Sequence, residues 1–213
     1  MYICGIDEAG RGSILGPLVI AGLLIHHSKL SQLKSLGVKD SKKLTKKSRY
    51  KLYRQIIKIA DDYKIKKIPA KIVDRYVYKH NLNLLEAKYM GKTVLLLRPQ
   101  ITYVDSCDVN NLRFGNLVSQ TSSSKVISLH KADSRLMVVA AASIIAKVNR
   151  DNTIKKLQKQ YNIGSGYTSD IITYSFIKNC IKNQNIPYFV RNSWQTIYNI
   201  NSTYCKNCAN TIK

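Results

Sequence analysis

The chain has 213 residues, 45% of them apolar, with 35 Lys and Arg against 12 Asp and Glu, a formal net charge of +23. That length suits one large domain, or one domain with a small appendage, and is enough to bury a proper core. No run of about 18 apolar residues offers a membrane span, and no basic N-terminal region leads into an apolar segment with a cleavage site, so a cytoplasmic protein is expected.

The charge excess repels itself in the folded state and favours polyanionic partners through counterion release. Lys, Asn, Ile and Tyr are all abundant, a pattern that AT-rich coding also produces. The field exists whatever its origin, and nucleic acid is the first partner to test. An odd, scattered cysteine count (Cys4, Cys107, Cys180, Cys205, Cys208) argues against a secreted disulfide framework. Cys205 and Cys208 form a lone C-x-x-C without a second pair at zinc-ribbon spacing, and no function is assigned to them.

In chain order, Met1-Tyr2-Ile3-Cys4 reads as a strand leading into Gly5-Ile6-Asp7-Glu8-Ala9-Gly10-Arg11-Gly12. Successive strand side chains face opposite ways, so Asp7 and Glu8 share one site only if the strand ends or twists there. A plain surface turn would look the same. Pro17 to Ile25 is a buried strand, Ser28 to Leu36 a short helix closed by Gly37, and Thr45 the cap of a helix running to Tyr63. Lys64 to Pro69 reads as a strand and Lys71 to Lys79 as a short helix with Asp74 and Arg75 exposed. Asn81 to Arg98 is a helix, Ile101 to Val104 a strand ending at Asp105, Asp108 to Gln120 a helix and Lys125 to Leu129 a strand. From Asp133 a helix apolar almost all round must be buried against a sheet. Gly164-Ser165-Gly166-Tyr167 breaks the pattern, a helix follows from Ser169 to Lys182, and the tail has little apolar periodicity. The order suits an α/β core, residues 1–168, carrying a helical C-terminal extension, residues 169–213.

Acids are few enough that each one is informative. Asp7 and Asp105 end strands and Asp133 starts a buried helix, and sites in open α/β sheets form beyond strand ends. Converging carboxylates repel unless cations neutralise them, and an oxygen-only set suits Mg²⁺ or Mn²⁺. Two such ions serve phosphodiester hydrolysis. Taken singly, Asp133 reads as a helix cap, Asp105 as a turn former and Asp151 as an exposed helix acid paired with Lys155.

The octet, Asp40-Ser41-Lys42-Lys43-Leu44, Tyr103-Val104-Asp105-Ser106, His130-Lys131-Ala132-Asp133, the run Ala140 to Asp151 and Gly164 to Tyr167 occur in the order found in type 2 ribonucleases H. The chain resembles ribonuclease HII, and its compact length with Arg191-Asn192-Ser193-Trp194 is similar to the archaeal form. The resemblance implies a ribonuclease H-like fold, a central mixed sheet flanked by helices. It implies metal-dependent cleavage of RNA in RNA/DNA hybrids and at single ribonucleotides in duplex DNA, leaving a 3′-hydroxyl and a 5′-phosphate. It assigns Asp7, Glu8, Asp105 and Asp133 as catalytic, metal-holding carboxylates served by Mg²⁺ or Mn²⁺. Gly10, Arg11 and Gly12 match the loop that reads the ribose 2′-hydroxyl, and Tyr167 the aromatic that packs on the sugar. Lys42 and Lys43 match a phosphate-contacting segment. Ser13, Thr168 and Leu136 depart from common family residues without removing a metal ligand. A monomer is expected, and a sliding-clamp partner is left open. The competing readings are a non-catalytic basic RNA- or DNA-binding module and another two-metal nuclease on the same fold.

Overall fold

Two long antiparallel strands, β1 (Tyr2–Ala9) and β2 (Leu18–His26), form the middle of the sheet, both buried over most of their length. The structure, a computed structural model, describes residues 1–38, 44–122 and 124–210, with side chains described as far as residue 202. On the outer flank of β2 runs β3 (Asp62–Ile68), antiparallel; on the outer flank of β1 run β4 (Ile101–Asp105) and then β5 (Lys125–Leu129), both parallel, giving the order β3-β2-β1-β4-β5. The edge strand β3 carries Lys64, Lys66 and Lys67, charges that discourage pairing with another chain.

Alternation along β1 divides two cores. Ile3 and Ala9 belong to the core beneath α7 (Met137–Leu157), while Cys4 and Ile6 belong to the opposite core, beneath α4 (Leu82–Leu97) and α5 (Asn111–Ser119). The long apolar helix expected after Asp133 is α7, and its Ala140-Ala141-Ala142 run is fully buried. A Cβ on Gly5 would lie 2.3 Å from the Val138 carbonyl oxygen, so glycine is what lets α7 approach the sheet so closely. α1 (Leu30–Ser35) and α2 (Lys46–Ile59) complete that face, with Leu33, Leu52 and Ile56 joining its core. Thr45 caps α2 as expected, accepting from the Ser48 N–H at 3.1 Å.

A third cluster lies where the chain returns on itself. Ile14 and Leu15 pack with Ile154 and Leu157 from the end of α7, Ile177 from α8 (Ile171–Lys182), and Ile197 and Ile200 from α9 (Gln195–Asn210).

Several expectations are corrected. The helix placed to Tyr63 ends at Ile59, because Asp62 and Tyr63 pair with Leu24 and Leu23 in the sheet, and sheet pairing overrides helical spacing. The helix from Asp133 is two helices, α6 (Ala132–Arg135) and α7, separated by extended Leu136 at φ −117°, ψ 120°. The helix placed from Asp108 starts at Asn111, capped by Asn110. The tail is helical as expected, but it does carry an apolar period: Ile197 and Ile200, three residues apart, lie on the buried side of α9. Asp74, in α3 (Ala70–Val77), is buried rather than exposed, since it accepts from the backbone N–H groups of Asn192 and Ser193 and from the Ser193 hydroxyl.

Candidate active site

The parallel pairing of β1 with β4 sets the site. Gly5 opposes Tyr103 and Ile6 opposes Val104, so Asp7 and Asp105 lie side by side, one residue beyond the last pair and on the α7 face. A left-handed Lys131 (φ 53°) then turns the chain from β5 into α6, and the Ala132 N–H donates to Asp105 Oδ1 at 2.7 Å. That contact delivers Asp133 to the same place. One carboxylate oxygen from each of Asp7, Asp105 and Asp133 lies within 4.8 Å of the others, and Asp7 and Asp133 are buried.

Glu8 is placed differently. β1 does not end or twist at the acidic pair: Asp7 opposes Ala21 and Glu8 opposes Ile20 in regular register as far as Ala9. Glu8 therefore leaves from the opposite face, the side of Cys4 and Ile6, yet stays within electrostatic reach of Asp105. Burial, reinforced by the Glu8 and Asp105 charges, holds the Asp7 carboxyl well above the usual range. Burial and Asp105 likewise push Glu8 up to about 7 against the pull of Arg11. The buried Glu8 Oε2 has no hydrogen-bond partner. These acids are charged only at a cost, which a cation offsets.

Beside the carboxylates lie two glycine turns, residues 10–16 and 164–167, stitched together. Ile14 and Leu15 both donate to the Gly166 carbonyl, at 3.0 and 3.2 Å. Ser13 Oγ donates to that same oxygen at 2.8 Å, so Ser13 serves as a link between the two turns. Gly166 (φ 84°) leaves room for Arg150, whose Nη2 would meet a Cβ there at 2.9 Å. Arg150 Nη2 donates to Ser13 Oγ (2.9 Å) and the Ser165 carbonyl (2.7 Å), and its guanidinium carbon stands 4.4 Å from the centre of the Tyr167 ring. Tyr167 keeps 37% of its surface open.

From the other side, fully buried Arg191 donates to the carbonyls of Gly16 (3.2 Å) and Arg11 (3.0 Å) and packs on Trp194. Burial and neighbouring Arg150 lower it to about 10, so it stays charged at neutral pH. The side chain of Arg11 points away into α4, to Glu86 and Asn83.

A groove of about 950 Å³ opens beside Tyr167 and Ala9, lined by Lys46, Lys47, Arg49, Lys147 and Lys155. Asp151 there pairs with Arg49 at 3.0 Å, not with Lys155 as expected. Lys42 and Lys43 lie outside the described residues. Sequence reasoning passed over Ser13, Arg150 and Arg191 as loop supports and gave Glu86 no role; the signal for Glu86 was its position between apolar Leu85 and Ala87, both buried.

Among known proteins, the family described as Ribonuclease HII matches residues 4–197. A ribonuclease HII of Cenarchaeum symbiosum is 52% identical over 196 residues, covering 92% of this chain and 96% of its own. The crystal structure of the ribonuclease H2 of Pyrococcus horikoshii superposes with a TM-score of 0.90 at 40% identity, over 97% of this chain and 100% of its own. An Archaeoglobus fulgidus RNase HII, solved as a PCNA:RNase HII complex, gives a TM-score of 0.86 at 38% identity over 93% and 96% of the two chains. With its mixed sheet, flanking helices and carboxylate cluster, the chain belongs to the ribonuclease HII family of type 2 ribonuclease H endonucleases.

Proposed function

We propose that the protein hydrolyses the RNA strand of RNA/DNA hybrids and cuts at single ribonucleotides in duplex DNA, leaving 3′-hydroxyl and 5′-phosphate ends. The observation that carries this reading is the meeting of Asp7, Asp105 and Asp133 within 4.8 Å, where parallel β1 and β4 meet the start of α6. An all-carboxylate donor set fits Mg²⁺ or Mn²⁺, and a cation there offsets the cost of charging the buried Asp7 carboxyl. Asp7, Asp105 and Asp133 would hold the ions, with Glu8 beside Asp105 completing the set. When bound, they supply an activated water and charge neutralisation at the leaving oxygen.

The chain itself supplies selection and positioning. The backbone of Gly10, Arg11 and Gly12, braced from below by Arg191, meets the ribose 2′-hydroxyl, the one group that separates RNA from DNA at a site. Tyr167, held by Arg150, packs against the neighbouring sugar. The lysine-lined groove beside it takes phosphates without reading bases. A sliding clamp belongs among the proposed partners, supported by the PCNA complex of the Archaeoglobus relative.

An end-labelled DNA duplex with one ribonucleotide, beside an all-DNA control, tests the reading. Cleavage is expected beside the ribonucleotide, only with Mg²⁺ or Mn²⁺ present, and is expected to vanish in folded Asp7→Asn. Equal cutting of the all-DNA duplex would overturn the specificity, and undiminished activity of Asp7→Asn would overturn the metal site.

A further inference from the structure

A second group of buried ionisable side chains lies next to the carboxylate cluster without belonging to it. Glu86, in the middle of α4, is fully buried among apolar neighbours. A lone carboxylate in such a place is costly unless paired. Its Oε2 takes the Arg11 guanidinium and, at 2.8 Å, the Cys107 thiol. Arg11 uses its other terminal nitrogen on Asn83 Oδ1 at 2.7 Å. Asn83 Nδ2 passes the connection to Asp108 Oδ2 (2.9 Å), and Arg113 Nη2 holds both oxygens of Asp108 at 2.7 Å. Asp108 lies three residues beyond Asp105. A continuous chain of charged hydrogen bonds therefore joins the Gly10–Gly12 loop, α4 and the segment that follows Asp105.

Two consequences follow for Arg11. Both terminal nitrogens of its guanidinium are committed to α4, so recognition by this loop falls to the backbone. The loop is also gripped twice, by its side chain from α4 and by its carbonyl from Arg191 at 3.0 Å. We infer that Glu86 and Asn83 are positioning residues for ribose recognition: by clamping Arg11 they hold the Gly10–Gly12 backbone at the height where it meets the 2′-hydroxyl, in fixed relation to Asp105. Glu86 is too deeply buried to touch substrate and acts only through Arg11. The inference rests on the proposed reading of the Gly10–Gly12 loop. Positioning to within about 1 Å is worth up to about a hundredfold in rate, so loosening one clamp has a measurable effect.

The test compares Glu86→Gln, Asn83→Ala, Arg11→Met and the Arg11→Met/Glu86→Gln double variant. Values of kcat and KM are measured on the one-ribonucleotide duplex. In an Asp7→Asn background without divalent metal, where no cleavage is expected, Kd is measured by fluorescence anisotropy for that duplex and for the all-DNA duplex. Expected is a loss of about tenfold or more in kcat/KM for each single variant, with the ratio of the two Kd values moving towards one. The double variant is expected to be no worse than Arg11→Met alone. A merely structural role would weaken both duplexes equally and leave the ratio unmoved. An unchanged ratio, or additive losses in the double variant, would overturn the inference. Should Glu86→Gln fail to fold, Asn83→Ala, which is only half-buried, decides the question. Gly12→Ala separates the two levels, because a Cβ there meets nothing within 4 Å. If Gly12→Ala keeps the ratio, the reading of the loop fails; if it alone abolishes the ratio, only the clamp fails.

Discussion

Asp7 carries the conflict on which the site depends. Its carboxyl is buried beside two other acids, so its proton affinity in the folded state exceeds that of the unfolded chain. An acid shifted that way is neutral without penalty below its unfolded pKa near 4. It costs stability as pH rises from there through the folded value. Replacing it with asparagine removes the cost. Metal-free Asp7→Asn is therefore expected to melt above the metal-free wild type at pH 8, and the gap to narrow as the pH falls through 5 and close towards pH 4. Each kcal/mol recovered is worth about 2–4 °C in a chain of this size. Added Mn²⁺ should raise the wild type and leave the variant unmoved. Thermal melts by circular dichroism check this; a variant that melts lower at pH 8 than at pH 5 relative to wild type would show that burial and repulsion are not what Asp7 endures.

Among the elements, α7 against β1 fixes the distance between carboxylates that the chain supplies from residues 126 positions apart. Gly5→Ala would drive a methyl into the Val138 backbone, which cannot swing aside as a side chain does. The helix must shift, and Asp133, one short helix upstream, shifts with it. Overpacking of this kind costs about 1–3 kcal/mol or more, so Gly5→Ala is expected to lower Tm and to lose cleavage by more than the loss of folded protein explains. Full activity in the folded fraction would mean that α7 does not set the geometry of the site. Much at this scale was legible in the sequence. The Ala140 to Val148 run announced a buried helix, Thr45 announced the cap of α2, and β-branched residues ending at Asp105 announced a strand. What was not legible arises from partners far along the chain. Asp74 looks like an exposed helix acid until Ser193, 119 residues later, folds over it. Tyr63 keeps helical spacing with Ile59 and Ala60 until β2 claims it, with Asp62, for the sheet. Convergence of Asp7, Asp105 and Asp133 needed the parallel register, which spacing alone does not give, and the family resemblance supplied what spacing lacked.

Over the whole molecule, the net charge of +23 makes long-range attraction to nucleic acid unavoidable and leaves open where it is directed. The structure gathers part of it in the groove beside Tyr167. Binding of the one-ribonucleotide duplex should weaken steeply with salt, because phosphate contacts release counterions. Lys46→Gln and Lys47→Gln, both exposed at the rim, should each reduce the slope of log Kd against log salt by about one, with little change in the preference for ribonucleotide over DNA. Salt slopes measured by anisotropy check this, and slopes identical to wild type would place the duplex elsewhere.

The central claim, that Asp7, Asp105 and Asp133 form the metal centre, is tested most directly by anomalous diffraction from crystals soaked in Mn²⁺. A peak is expected at coordination distance, about 2.0–2.3 Å, from carboxylate oxygens of all three residues, lost in Asp7→Asn. A soaked wild-type crystal with no peak among them, or a peak that survives Asp7→Asn unchanged, would contradict it.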